Sequence, residues 1–419
     1  MAAGSDEALH KRPAAAPDGA LLRFFRRQVL ARLARLERGR LTVTDAMGRA
    51  EFGGGDGNSA GLRIADLSAY ADIVRRGTIG AAEAYMQGKW TASDLTALVR
   101  LMVANRETME GIEAGLARLV APVQRLSHWW RRNTRRQARR NIGAHYDLGN
   151  EFYALFLDAT MSYSAGIFPG PASSLEEAAV HKLDLICRKL DLRPGDHLLE
   201  IGTGWGGLAL HAASRCGCRV TTTTLSARQR EYAQARVRAA GLEGRVTVLD
   251  RDYRDLEGQF DKLVSVEMIE AVGLGFLDEY FRVCNARLRP GGRMLLQGIV
   301  IADQLYEQAR RSVDFIQQYI FPGGALPSLA AIQAAVARST ELRAVGLQDI
   351  GEHYARTLRE WRRRFMAQLP AVRQLGFGEE FIRMWEFYLA YCEGGFLERS
   401  ISDVQLVLDK PGGVQPLPA

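Results

Sequence analysis

The chain has 419 residues, 47% hydrophobic and 25% charged, which is enough for two packed domains and too evenly mixed for a disordered or fibrous protein. Its net charge of +7 is concentrated: residues 21–40 hold seven arginines and one glutamate, residues 127–140 hold six arginines and no acid, and the rest of the chain is net acidic at −5, a pattern that points to an anionic surface, phospholipid or nucleic acid. No stretch reaches the ~18 consecutive apolar residues of a membrane span, the polar N-terminus lacks the apolar core of a signal peptide, and the five cysteines (Cys187, Cys216, Cys218, Cys284 and Cys392) are scattered without a CxxC pair. A cytoplasmic protein with reduced thiols and no metal site is therefore expected.

Residues 1–20 are rich in Ala, Pro, Gly and Asp without periodicity and read as a disordered lead-in. From Leu21 the pattern changes. Leu22, Phe25, Val29, Leu33 and Leu36 recur at steps of three and four while arginines fill the other face, which predicts a basic amphipathic helix. Its apolar face has two uses, packing on its own domain or inserting into a membrane surface. After the turn GGGDGNSAG, the segments ADLSAYADIVRRG and GAAEAYMQGKWTASDLTALVRLM have helical period, with Ser93 and Asp94 as cap residues. Residues 21–115 are thus expected to form a small, mostly helical domain. Residues 116–140 are a connector ending in SHWWRRNTRRQARRN, where tryptophans and six arginines suit either a lipid headgroup interface or a solvated charged helix.

From Leu190 onward strand-like and helix-like segments alternate. LLEIG, CRVTTTTL, RVTVLD, KLVSVEM, RMLLQGIVIA and DVQLVLD are apolar or β-branched runs separated by helical stretches, the signature of a doubly wound α/β sheet covered on both faces. Residues 302–395 break the alternation and are read as a helical insertion over the sheet. There are no internal repeats.

Residues 198–207, LLEIGTGWGG, place a glycine loop between a buried strand and the helix LALHAAS. Glycines there allow close backbone approach to a ligand, and the helix start offers free amides. A nicotinamide-binding fingerprint would add an acid roughly 20 residues on, at the end of the second strand. That strand ends in Thr224-Leu225-Ser226, with Gln229 the nearest further polar residue, so dehydrogenase chemistry is disfavoured. Glu200, and Asp252 with Tyr253 after the third strand, instead stand where methyl-donor-binding folds place a carboxylate and an adenine-flanking ring.

Together with NIGAHYDLGNEFYALFLDATMSYSAGIF (141–168), VSVEMIEAVG (264–273), YIFPGGALPS (319–328) and EHYARTLREW (352–361), these residues resemble the cyclopropane-fatty-acyl-phospholipid synthase family over residues 70–405. The resemblance implies a class I methyltransferase fold, Rossmann-like with a mostly parallel seven-stranded sheet, occupying residues 141–410 behind a lipid-engaging N-terminal helical domain. It also implies S-adenosylmethionine as methyl donor and methylene addition across the cis double bond of an unsaturated phospholipid acyl chain. By motif position, Tyr163 and Ser164 flank the donor's methionine part, Gly202 and Gly204 form its glycine loop, Thr224, Leu225 and Gln229 contact the ribose, and Tyr253 lies beside the adenine. Glu270 and Tyr354 match residues that hold a bicarbonate ion, and His145 and Tyr146 are assigned to structure or the donor pocket.

The implied chemistry explains the need for an anion. An alkene is a poor nucleophile, so its π bond must be aligned with the sulfonium methyl in a dry site. The resulting carbocation is stabilised by anionic or aromatic groups until a base removes a proton from the new methyl and the ring closes; in the family, bicarbonate is that base. Three positions depart from the family's pattern. Ala165 replaces a cysteine and Gln297 a histidine, both of which contribute to the bicarbonate pocket, and Ala271 replaces a histidine. An alanine offers no side-chain ligand, whereas Gln297 still offers an amide, so ring closure is affected more than methyl transfer. The expected partner is a phospholipid membrane, anionic or zwitterionic, engaged peripherally at the inner leaflet. Nucleic acid is not expected as a partner, and self-association into a homodimer is. A fatty-acyl C-methyltransferase giving a branched product, or a small-molecule N-methyltransferase, are the alternatives on the same fold.

Overall fold

A computed structural model describes residues 19–107 and 148–412. The first eighteen residues of the lead-in, the connector 116–140 with its tryptophans and arginines, and His145 and Tyr146 lie outside the described residues.

Helix α1 (Gly19–Leu33) begins two residues inside the expected lead-in. Phe25, Val29 and Leu33 are buried, and with Leu36 they join the core shared with α2 (Ser68–Met86), so the apolar face of α1 packs on its own domain. Only Leu21 and Phe24, at 40% and 44% exposure, remain as large apolar groups on its outer side. Helix α2 is broken at Gly77, whose φ of 58° suits glycine. Helix α3 (Leu95–Ala104) is capped by Asp94, which accepts from Ala97 N at 3.0 Å, while Ser93 serves the neighbouring strand by accepting from Gly61 N. Between these helices lies a sheet that the helical expectation did not include: β1 (Arg40–Asp45), β2 (Gly48–Gly53), β3 (Ser59–Ile64) and β4 (Trp90–Ala92), ordered β2-β1-β3-β4. These strands are at most six residues long, and the fully buried alternation in β1 is confined to Leu41 and Val43, too short a signal to stand out beside a glycine-rich loop.

The second unit is a seven-stranded sheet in the order β10-β11-β9-β8-β5-β6-β7. Its strands are β5 (His197–Ile201), β6 (Arg219–Thr223), β7 (Val246–Leu249), β8 (Phe260–Val266), β9 (Leu288–Ile301), β10 (Arg343–Asp349) and β11 (Ile401–Asp409). The first five are mutually parallel, and β11 runs antiparallel between β9 and β10. This is the class I methyltransferase arrangement, with helices α4 (Asn150–Ala154), α5 (Leu175–Leu190), α6 (Gly207–Arg215), α7 (Ala227–Ala239), α8 (Leu277–Arg287), α9 (Asp303–Ala309) and α10 (Leu329–Ser339) in the connections. Strand order reverses at β5, which has β6 on one side and β8 on the other, and the crevice beyond the carboxyl ends of those strands is where such sheets bind ligands.

Residues 302–395 are not purely helical: they contain edge strand β10, whose mostly exposed residues and Gly346 gave no apolar run to read. The rest of the insertion after β10 comprises α11 (Gly351–Ala367), α12 (Leu369–Gln374) and α13 (Glu379–Leu397). Helix α13 packs on α11 and also on α2 and α3, so the two units share one core. Tyr85 lies 4.8 Å from Trp90 and 5.6 Å from Phe387 between ring centroids, and Thr96 Oγ1 donates to the buried Glu393 at 2.8 Å.

Candidate active site

The glycine loop leaves β5 with φ of 102° at Gly202 and 51° at Gly204, values that disfavour side chains. At Gly202 a Cβ would also press within 3.3 Å of Met268. The backbone amides of Gly202 and Thr203 are tied to Thr223 O, each at 3.1 Å, so the ends of β5 and β6 are locked together under the crevice. Ser226 caps α7 by accepting from Gln229 N, and Thr224 Oγ1 donates to Gln229 Oε1 at 3.2 Å. All nine residues assigned to the donor, Tyr163, Ser164, Glu200, Gly202, Gly204, Thr224, Leu225, Gln229 and Tyr253, line one cavity at this point.

Glu200 is fully buried, and desolvation pushes its carboxyl up to about 8 against the hydrogen bond from Thr222. Its Oε2 has no hydrogen-bond partner among the described residues. A buried carboxyl oxygen without a donor, on the wall of a cavity floored by glycine amides, is chemically suited to the hydroxyls of a ribose. Asp252 is differently engaged: it takes two bonds from the Arg254 guanidinium, at 2.8 and 2.7 Å, and that guanidinium lies 5.4 Å from the Tyr253 ring. The residues present therefore fit S-adenosylmethionine, which when bound supplies an electrophilic methyl on sulfur.

Tyr163 places an aromatic ring on one side of the cavity, backed by further buried rings. Tyr163 stacks on Trp361 of α11 at 5.2 Å, meets Tyr153 of α4 edge-on at 5.2 Å, and bonds through its hydroxyl to the Tyr388 hydroxyl of α13 at 2.9 Å. Such a wall is apolar enough for an acyl chain, and its ring faces favour a cation.

Behind the cavity, at the end of β8, sits a group of buried carboxyls. Glu267 lines the cavity; the three residues assigned to catalysis, Glu270, Gln297 and Tyr354, do not. Instead two of them serve Glu267. Gln297 Nε2 donates to Glu267 Oε1 at 2.9 Å, Tyr354 OH donates to Oε2 at 2.7 Å, and the amide of Ala165 donates to Oε1 at 2.8 Å. Gln297 also donates to Asp403 at 2.9 Å and is itself oriented by Gln405, which Lys189 in turn holds at 2.6 Å. Glu270 accepts from the backbone amide of Ile299, and Glu270 Oε2 and Asp403 Oδ1 have no partner among the described residues. Burial, then the neighbouring Glu267, pushes Glu270 up to about 8, and the same causes hold Asp403 well above the carboxylate range. Lys182 of α5 is buried against Ser164, pulled down by desolvation and raised again chiefly by Glu267.

These contacts bear on the expected bicarbonate. The Tyr354 hydroxyl and the Gln297 amide are its implied ligands, and both are spent on a carboxylate of the protein. A free anion would also face the Glu267 charge across a site where Ala165 offers no side chain. The residues present do not fit bicarbonate. Glu267 was passed over in the sequence because Glu270, three residues later, carried the motif match; its position directly after a parallel strand was the available signal. Lys182, Trp361, Tyr388 and Asp403 were likewise missed, since each lies in an ordinary amphipathic or strand pattern.

Residues 133–406 match the family described as mycolic acid cyclopropane synthetase. The chain is 42% identical over 347 residues to a tuberculostearic acid methyltransferase of Mycobacterium tuberculosis, covering 81% of each chain. It is 36% identical over 356 residues to the cyclopropane-fatty-acyl-phospholipid synthase of Escherichia coli, covering 84% of this chain and 88% of that one. Among solved structures, a mycolic acid cyclopropane synthase complexed with SAH and CTAB matches at 30% identity and a TM-score of 0.61, over 65% of this chain and 98% of that one.

Proposed function

Since the chain belongs to the mycolic acid cyclopropane synthetase family of S-adenosylmethionine-dependent methyltransferases, we propose that it transfers the donor's methyl carbon to the cis double bond of an unsaturated acyl chain in a membrane phospholipid. The observation that carries this reading is the meeting of three features at one crevice: a donor-type cavity, an aromatic wall without charged side chains, and a buried carboxylate. The Glu200 carboxyl and the glycine loop orient the donor. Tyr163, Trp361 and Tyr388 exclude water and lie along the chain as positive charge develops on carbon. The carboxyl group behind them receives the proton that must leave.

Loss of that proton from the new methyl closes a cyclopropane, the outcome expected from the sequence. A methyl-branched product is the second reading, favoured by the 42% identity to a tuberculostearic acid methyltransferase and by the departures at Ala165 and Gln297. No helix among the described residues is long and apolar enough to cross a membrane. Access to lipid is assigned to the arginine-rich segments, supported by their charge and by Leu21 and Phe24, exposed beside Arg23 and Arg27 on α1.

The test is reaction of the full chain with S-adenosylmethionine and vesicles of cis-unsaturated phospholipid, followed by gas chromatography and proton NMR of the released chains. Upfield ring protons with loss of the vinyl signal identify cyclopropanation, a retained alkene bearing a new carbon identifies C-methylation, and absence of transfer to any lipid overturns the proposal. Glutamine at Arg131, Arg132, Arg135, Arg136, Arg139 and Arg140 is expected to weaken vesicle binding while turnover on detergent-dispersed lipid survives; equal loss in both would overturn the membrane assignment.

A further inference from the structure

We infer that Glu267 is a built-in base that takes the place of a dissolved anion: its carboxylate occupies the hydrogen-bonding position between Tyr354, Gln297 and the Ala165 amide, and accepts the proton released after methyl transfer. The inference rests on the acyl-chain reading above and deepens it.

Three observations converge on this residue. The first is the donor set. The backbone amide can only donate, the Gln297 side chain presents its nitrogen to Glu267 because its oxygen accepts from Gln405, and the Tyr354 phenol, held protonated by burial and by the adjacent carboxylate, donates as well. Three donors shared between two oxygens favour the ionised form of Glu267 over the acid. Burial raises the Glu267 pKa, and Lys182, then the Tyr354 hydroxyl and the Ala165 amide, pull it back toward the ionised form, while Glu270 and Asp403, each with an oxygen unpaired among the described residues, are held up by burial and by Glu267 with fewer donors against it. The group thus confines one negative charge to the carboxyl that lines the cavity.

The second observation is conformational. Glu267 has φ of 49°, the left-handed region where glycine is at ease and a longer side chain is strained. Strain of this kind persists where the surroundings over-determine it, and it gathers at functional positions. The backbone amide of Glu267 is fixed to Gln297 O at 2.8 Å, so the strained turn aims the side chain back toward its own partners. A glycine would serve the turn better, and the carboxylate is what the strain secures. The third observation is that Ala165 contributes its amide and leaves room for the carboxylate.

The step balances without another reagent. The alkene π pair forms the bond to the methyl carbon as the carbon–sulfur pair departs with sulfur, leaving a cation on the acyl chain. A C–H bond of the new methyl then breaks and its electron pair closes the ring onto the cationic carbon, or a C–H bond on a carbon adjacent to the cation breaks and its pair forms a new double bond; in either case the proton passes to a Glu267 carboxylate oxygen and from there to water after product leaves.

The experiment compares the full-length wild type, Glu267→Gln and Glu267→Gly in carbon-dioxide-free buffer and in buffer with added sodium bicarbonate, with S-adenosylmethionine affinity measured by calorimetry. Wild-type turnover is expected to be indifferent to bicarbonate. Glu267→Gln should bind donor and lose on the order of 100-fold or more in turnover, as loss of a general base does. Glu267→Gly relieves the strained φ, which offsets part of the loss of the carboxylate's hydrogen bonds, and its folding is checked by circular dichroism and by donor binding; it should be inactive without bicarbonate and regain activity with it. Wild-type activity that collapses in carbon-dioxide-free buffer, or full turnover by Glu267→Gln, overturns the inference. Failure of bicarbonate to restore a folded, donor-binding Glu267→Gly overturns the claim that anion and carboxylate share one place. Absence of transfer by the wild type under every condition overturns the acyl-chain reading itself, so the two failures are distinguishable.

Discussion

The hydroxyl of Tyr354 donates to Glu267 Oε2 at 2.7 Å, joining helix α11 of the insertion to the end of the strand beneath the donor cavity. This bond makes the insertion part of the active site, because α11 moves only if the carboxylate loses a donor. Hydrogen bonds to a charged group contribute roughly 1.5–3 kcal/mol. Tyr354→Phe keeps the ring stacked on Phe396 at 4.6 Å and removes the bond. Turnover is expected to fall about 10- to 100-fold with donor affinity unchanged, and steady-state kinetics beside calorimetry check both.

Lys182 is the cation nearest in effect to Glu267, and Glu267 is the first of the acids that keep the buried ammonium charged. Removing it in Lys182→Met withdraws an influence that lowers the Glu267 pKa, so that pKa rises. The base is then protonated at higher pH, and the acidic limb of the kcat/KM profile should move upward. A limb that stays in place, in a variant whose donor affinity is intact, would show that Lys182 does not set the charge of the site.

The donor half of this site was legible in the sequence because its signal is local. A strand, a glycine loop and a helix start lie within ten residues, and β6 and β7 end in short polar strings at fixed offsets. The proton-accepting half was only partly legible. Glu267, Tyr354, Gln297 and Asp403 come from β8, α11, β9 and β11, and their meeting depends on sheet order and on how the insertion folds back. Motif matching points to Glu270 in VEMIEAV; backbone geometry and donor direction add Glu267 from the same string, the residue on which the proposal above rests. Strand β10 and the N-terminal sheet were missed for a related reason, since short half-exposed strands carry almost no periodic apolar signal.

Glu270 is held near 8 in the folded chain, well above its ordinary 4.5. An unfolded chain releases this proton above pH 4.5 and the folded chain does not until about 8, so the folded state binds more protons in that window. Stability from this group is therefore fully present below pH 4.5 and is lost as pH rises through 8. Glu270→Gln cannot ionise and resembles the neutral acid in shape. The stability of the wild type relative to Glu270→Gln, from urea unfolding at several pH values, should fall with pH across this window by up to roughly 1.4 kcal/mol per unit. A flat or rising difference would mean that Glu270 is ionised in the folded protein.

Glu393 of α13 connects the N-terminal unit to the insertion. It is 1% exposed, takes the Thr96 hydroxyl of α3 at 2.8 Å, and is paired with Arg359 and Arg362 of α11 at 2.8 and 3.2 Å. Both arginines retain access to solvent, which tempers the loss when their partner is removed, but Thr96 is buried and would be left with an unmatched hydroxyl. Glu393→Ala is expected to cost about 2–4 kcal/mol in urea unfolding. Because α13 also supplies Tyr388 to the Tyr163 hydroxyl, the same variant should weaken donor binding although Glu393 does not line the donor cavity. A variant that loses stability while donor affinity is unchanged would show that the N-terminal unit braces the fold without setting the position of the aromatic wall.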